Sequence, residues 1–315
     1  MHMTFRDTLD NGFKDVTINT LLKFLPQGRH LMLHEKTIAF IGAGSMAEAM
    51  ISGIVAAGKV PSNQIIVTNR SNTVRLQQLE ENYKIKGLTS QHLNLRNIDM
   101  IVLAMKPKDA EVALQSIKDS LQPHQLVLSV LAGITTTYME QHLPAGQQVI
   151  RVMPNTSSMI GESATAISAG STTTTENMLL AKDLLESIGE VYEIPEEQMD
   201  VFTGVAGSGP AYIYYLMEHM EATVRKAGLQ ENVTRDIIAQ TIVGAAKMIQ
   251  QQNETPTTLR ENVTSPNGTT AAGLAALDKN GGGKAISQAI KHAAKRSQEI
   301  SSQLEGANEK KVQAV

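Results

Sequence analysis

The 315-residue chain contains no cysteine and no tryptophan. Without cysteine there can be no disulfide, no thiolate nucleophile and no cysteine-ligated metal, and the composition fits a reducing, cytoplasmic setting. Aromatic residues make up only 3% of the chain, so the core has to be aliphatic. No apolar run approaches the ~18 residues that cross a bilayer. The first 35 residues lack the continuous hydrophobic region of a secretory signal, and no membrane partner is expected. A formal net charge of -3 argues against nucleic acid as the main partner. The eight histidines are scattered; only His30 and His34 share an i, i+4 spacing. No H-E-x-x-H run occurs, so no metal is expected, and no G-x-S-x-G elbow marks a serine nucleophile.

What is present points to an α/β protein of two domains. Short apolar runs at Thr37–Ile41, Ile65–Thr68, Met100–Ala104, Leu126–Val130 and Val149–Val152 alternate with helical patterns. That alternation is the signature of a doubly wound, Rossmann-type parallel sheet covered on both faces. Two further strands are expected at Ala164–Ser168 and Glu190–Ile194, flanking a helix at Glu176–Ile188. After Pro195 the strands stop. Helices are expected at Pro210–Ala227, Thr234–Gln252, Thr257–Asn262, Thr269–Leu277 and Lys284–Leu304. The layout is an extension without assigned role over 1–35, a dinucleotide-binding domain over 36–195, an all-α domain over 196–305 and a frayed tail over 306–315. Within the extension, Val16–Leu25 is patterned for a short amphipathic helix.

Ile41-Gly42-Ala43-Gly44-Ser45-Met46-Ala47 follows an expected strand and opens an expected helix. This is the G-x-G-x-x-G/A fingerprint: Gly42 permits the tight turn, Gly44 admits a pyrophosphate and Ala47 keeps helix and strand close. Free N–H groups at the helix start favour the phosphates. The second strand ends Asn69-Arg70-Ser71, with no carboxylate for a ribose 2′-hydroxyl. Arg70 suits a 2′-phosphate, so NADP(H) is favoured and NAD(H) remains open. Two more strand ends point to the same crevice, Ala104-Met105-Lys106-Pro107 and Ala132-Gly133. Lys106 reads as a structural or phosphate-side lysine, with a catalytic acid as the other option. The carboxamide of Asn155 is placed to meet the nicotinamide.

Ser265-Pro266-Asn267-Gly268-Thr269-Thr270 interrupts the helical region with a hydroxyl-rich turn. A helix starting at Thr269 would aim the N–H groups of Gly268, Thr269 and Thr270 outward, where they could hold a carboxylate. The plainer alternative is a turn capped by Asn267 or Thr269. Gly207-Ser208-Gly209-Pro210 opens another helix with proline in its first turn, either a tight turn with an open end or close helix packing through small residues.

Together, Gly42–Met46, Ala104–Pro107, Gly207–Tyr212 and the segment Leu259–Asp278 resemble the pyrroline-5-carboxylate reductase family over residues 36–305. The resemblance implies reduction of 1-pyrroline-5-carboxylate to L-proline with NAD(P)H, and a helical domain that forms homodimers, often assembled to decamers. It implies that Ser265, Gly268 and Thr269 line a carboxylate cradle and that Thr270 places its hydroxyl by the ring nitrogen. It also implies that Asn262 touches the cofactor. Asn267-Gly268 stands where some members have Gly-Gly, and the 35-residue leader has no counterpart. A protonated cyclic imine is already electrophilic, so orientation, worth ~7–11 kcal/mol, replaces the missing strong acid. Two rivals remain: a β-hydroxyacid-type NADP dehydrogenase, whose lysine is missing from the helix at Pro210 until Lys226, and a non-enzymatic NADPH-binding relative.

Overall fold

The computed structural model describes residues 33–312, with side chains to Gln303. The expected helix at Val16–Leu25, His30 and the last three residues lie outside it. The apolar runs form strands β1 (Ile38–Ile41) and β2 (Ile65–Asn69), with β3 (Lys86–Thr89) beside them. Further along come β4 (Met100–Leu103), β5 (Leu126–Ser129), β6 (Gln148–Met153), β7 (Ser163–Ala169) and β8 (Gly189–Glu193). They make one sheet in the order 3-2-1-4-5-6-7-8. Its first six strands have the Rossmann order, which reverses direction between β1 and β4 and so leaves a crevice there.

Alternation along each strand sends side chains to both faces. Ile38 and Phe40 join one core with helices α1 (Ser45–Ala57), α2 (Thr73–Tyr83) and α5 (Thr175–Leu185). Ala39 joins the other, under α3 (Ala110–Lys118) and α4 (Thr136–His142). The sheet differs from the sequence expectation in two places. β3, Lys-Gly-Leu-Thr, pairs parallel to β2 at the sheet edge. An edge strand keeps one flank in solvent and needs no apolar run, so it carries no hydrophobic signal. β7 runs antiparallel to β6, and hydrophobic periodicity contains nothing about strand direction.

After β8 the chain is helical. α6 (Met199–Phe202) leads through a π-turn, Thr203–Gly207, into α7 (Gly209–Lys226). Next come α8 (Glu231–Gln251), α9 (Pro256–Asn262), α10 (Thr269–Lys279) and α11 (Gly282–Val312), the last running past the expected end at Leu304. In the single chain α7, α9 and α10 bury no residue. Ile213, Tyr214, Tyr215, Leu216, Ile237 and Val243 are all exposed. Patches of this kind mark interaction surfaces. No helix among the described residues is long and apolar enough to cross a membrane.

The helical part is anchored to the sheet by a buried charge. Arg151 of β6 is 2% exposed and pairs with Glu196 and Asp200, each at 3.3 Å. Glu196 also accepts from the Thr136 backbone N–H at 2.8 Å and from the Thr136 hydroxyl. Ser297 of α11 donates to Asp200 at 2.7 Å. Thr136 and Ser297 thereby hold, from elsewhere in the chain, the two carboxylates that pair with one guanidinium.

Candidate active site

A cleft of ≈ 1150 Å³ opens at the carboxyl ends of β1, β2 and β4. It is larger than a typical drug-sized pocket (~300–1,000 Å³) and suits an extended ligand. Its wall contains Ile41, Gly42, Ala43, Gly44, Ser45 and Met46 from the first turn. The second strand end contributes Asn69, Arg70 and Ser71, and the fourth contributes Ala104, Met105 and Lys106.

The glycine turn is built as the fingerprint requires. Gly42 has φ +119°, a left-handed conformation that L side chains rarely adopt. A Cβ there would lie 2.6 Å from the Ala104 carbonyl carbon and 2.8 Å from the Met105 nitrogen. A Cβ on Gly44 would meet nothing within 4 Å, so its backbone faces open space where a ligand can approach. Gly44 is the N-cap of α1 and supplies no side-chain cap, leaving the first-turn N–H groups to a phosphate. These features fit a dinucleotide pyrophosphate. From behind, the Arg75 Nε donates to the Ala43 carbonyl at 3.1 Å, and its Nη2 donates to Glu48. Tyr83 also donates to Glu48, at 3.2 Å, and burial pushes its phenol above the ordinary range.

At the second strand end the Asn69 Oδ1 accepts from the N–H groups of Ser71 and Asn72. That fold-back shapes the turn and leaves Arg70 reaching over the cleft, its side chain 64% exposed. Ser90 and Gln91, following β3, join the wall with Lys108 and Asp109 from the turn into α3 and Val112 from its first turn. Sequence reasoning missed these five. β3 had no hydrophobic signature, and Lys108 and Asp109 lie just past the last residue of a recognised motif.

Pro107, Ala132, Gly133, Asn155 and Asn262 do not line this cleft in the single chain. Gly133 has φ +76°, and a Cβ there would lie 2.7 Å from the Ile300 Cγ2 of α11, so helix packing already demands a glycine. Ala132 packs beside Met153 and Met199. Asn155 uses both ends of its carboxamide within the protein. Its Oδ1 accepts from the Ser157 N–H at 3.0 Å, and its Nδ2 donates to the Ala206 carbonyl of the π-turn at 3.1 Å. It thus ties the end of β6 to the helical part.

The hydroxyl-rich turn has its own geometry. Asn267 is left-handed, with φ +59°, and the Gly268 N–H donates to the Ser265 carbonyl at 3.0 Å. That N–H therefore serves the turn. The N-cap of α10 is Gly268, rather than Asn267 or Thr269, and no side chain caps it. The first intrahelical bond is from the Ala272 N–H to the Gly268 carbonyl, so the N–H groups of Thr269, Thr270 and Ala271 precede the helical ladder. Ser265, Thr269 and Thr270 are exposed. Among the described residues no group of three or more His, Asp or Glu could hold a metal ion.

Residues 196–300 match the family described as pyrroline-5-carboxylate reductase dimerisation. Residues 37–133 match the family described as NADP oxidoreductase, coenzyme F420-dependent. Over 271 residues the chain is 62% identical to pyrroline-5-carboxylate reductase 1 of Bacillus subtilis strain 168, covering 86% of this chain and 91% of the relative. It is 34% identical over 265 residues to pyrroline-5-carboxylate reductase of Arabidopsis thaliana, covering 84% and 95%. Among solved structures it superposes on a Plasmodium falciparum pyrroline carboxylate reductase with NADP bound. The TM-score is 0.79 at 27% identity, over 85% of this chain and 99% of that one. A pyrroline-5-carboxylate reductase from Coxiella burnetii gives 0.77 at 31% identity, over 85% and 99%. With a sheet crevice built for a dinucleotide, a helical half matched to that dimerisation family and identity of this extent, the chain belongs to the pyrroline-5-carboxylate reductase family.

Proposed function

We propose that the chain reduces 1-pyrroline-5-carboxylate to L-proline, the last step of proline biosynthesis, with NADP(H) favoured and NAD(H) also usable. The observation that carries this reading is the pairing of a glycine-turn crevice with an uncapped helix start at Gly268. Residues 36–195 form the cofactor-binding domain and 196–305 the substrate and dimerisation domain, working as a homodimer that assembles further, as in a decamer, in the cytoplasm. Ser265, Thr269 and Thr270 are exposed and the turn lies outside the cleft wall. We therefore place it against the cleft of a partner chain, where it completes the site.

The N–H groups at the start of α10 and the Ser265 and Thr269 hydroxyls hold the substrate carboxylate, for which an uncapped helix start is well suited. When bound, the nicotinamide supplies the hydride for the C=N carbon. Thr270 orients the ring nitrogen, whose proton comes from solvent by way of that hydroxyl. Asn262 and Asn155 sit at the margins of the cofactor, with Asn155 acting through the π-turn it holds. The β-hydroxyacid rival needs a lysine early on α7, but the first lysine of that helix is its last residue, Lys226.

Purified protein with 1-pyrroline-5-carboxylate should oxidise NADPH, followed at the nicotinamide absorbance; turnover of a hydroxyacid pair and none of the imine would defeat the proposal. Thr270→Ala removes one oriented hydrogen bond, worth about 1–3 kcal/mol when its partner is left unsatisfied. It should therefore lower kcat/KM by about 10-fold or more with unchanged NADPH affinity. Wild-type kinetics would remove Thr270 from the site.

A further inference from the structure

Among the described residues the cleft wall contains four charged ones, the cations Arg70, Lys106 and Lys108 and the single carboxylate Asp109. A carboxylate is out of place in a crevice that receives a polyanionic dinucleotide, unless it has a task there. Capping α3 is not that task. Asp109 precedes the helix in a helical conformation (φ −97°, ψ −1°) and makes no side-chain cap bond. Its backbone N–H closes the turn onto the Lys106 carbonyl at 2.9 Å, which holds the main chain from which the carboxylate projects. Its Oδ1 lies 3.4 Å from the Arg70 Nη2. Asp109 is 29% exposed against 64% for Arg70, so the guanidinium is the partner more open to an incoming ligand.

We infer that Asp109 is a specificity-determining residue that sets the balance between NADPH and NADH by competing with the 2′-phosphate for Arg70. This rests on the reading of Arg70 as the 2′-phosphate partner. A phosphorylated ribose has to draw Arg70 from Asp109 and lie near the carboxylate's charge. An unphosphorylated ribose incurs neither cost, and its 2′-hydroxyl finds an acceptor in Asp109. The carboxylate that NAD-binding sheets usually carry at the end of their second strand is here supplied from the end of the fourth. The site holds both recognition elements side by side, which lets one crevice accept either cofactor.

The test is calorimetric titration of the full chain with NADPH and with NADH, for wild type, Asp109→Asn, Arg70→Ala and a control, Asp183→Asn. Asp183 pairs with Lys59 outside the cleft and reports the effect of one lost negative charge alone. Exposed ion pairs are weak, so Asp109→Asn should tighten NADPH about two- to fivefold in Kd while NADH is unchanged or weaker. That gain should shrink at high salt, and Asp183→Asn should leave both affinities unchanged. Equal shifts for both cofactors, or none, would overturn the inference. If Arg70→Ala shifts the NADPH-to-NADH ratio and Asp109→Asn does not, the role of Asp109 falls and that of Arg70 stands. If Arg70→Ala leaves the ratio unchanged, both fall together.

Discussion

Arg151→Met is expected to destabilise the protein by about 3–5 kcal/mol, the range for breaking a buried ion pair from one side. Methionine fills much of the space, so the loss is electrostatic. Glu196 and Asp200 are only 23% and 25% exposed, and removing the guanidinium takes from both the cation they share. The Thr136 and Ser297 hydrogen bonds cannot neutralise two charges. Arg151→Lys should recover only part of the stability, since a compact ammonium lacks the planar fork that sends one nitrogen to each carboxylate. Combining Arg151→Met with Glu196→Gln and Asp200→Asn should recover most of it, because removing a whole buried network leaves no orphaned charge. Denaturant midpoints of the variants check this directly. A single mutant as stable as wild type would show that the pairing is ornamental.

The second large effect concerns the two glycines of the first turn, which should fail in different ways. Gly42→Ala puts a side chain on a residue with φ +119° and drives a Cβ against the Ala104 carbonyl. Strain of that kind costs about 1–3 kcal/mol before the clash is counted. The turn can relax only by moving β1 from β4, so the apoprotein should lose stability and NADPH affinity should fall by about 100-fold. Gly44→Ala meets no atom of the protein within 4 Å. Its melting temperature without cofactor should be that of wild type, while its methyl occupies the space into which a pyrophosphate would come. Melting curves with and without NADPH separate the two outcomes. A Gly44→Ala protein that binds normally would move the phosphates elsewhere.

The contrast between those glycines also marks how far sequence reasoning reaches. β1 and β4 were legible because strands buried on both faces are apolar along their length, and Ile38, Phe40 and Met100 are fully buried. The fingerprint was legible because its spacing is local. Gly133 stands at a strand end that sequence alone aims at the crevice, whereas a Cβ there would run into Ile300 of α11, a helix far away in the chain. Asp109 stayed hidden because its meaning depends on Arg70, which comes near only because the chain crosses from β3 back over the sheet to place β4 beside β1. Arg151 looked like an ordinary strand residue. Nothing adjacent in sequence announces that Glu196, Asp200 and Ser297 converge on it. Local spacing is written in the chain, whereas convergence is a product of topology.

The uncovered faces of α7 and α8 carry one more consequence, for the thermodynamics of the folded chain. In a protein whose core is complete, dilution leaves the fold untouched. Here Ile213, Tyr215 and Ile237 wait for cover from a second copy, so part of the free energy that holds the helices together is supplied by association. By mass action, that part shrinks as protomer concentration falls. Far-UV dichroism and turnover should therefore decline together on dilution, helices of the second half loosening while the sheet persists. The enzyme's effective stability becomes a property of how much of it a cell makes.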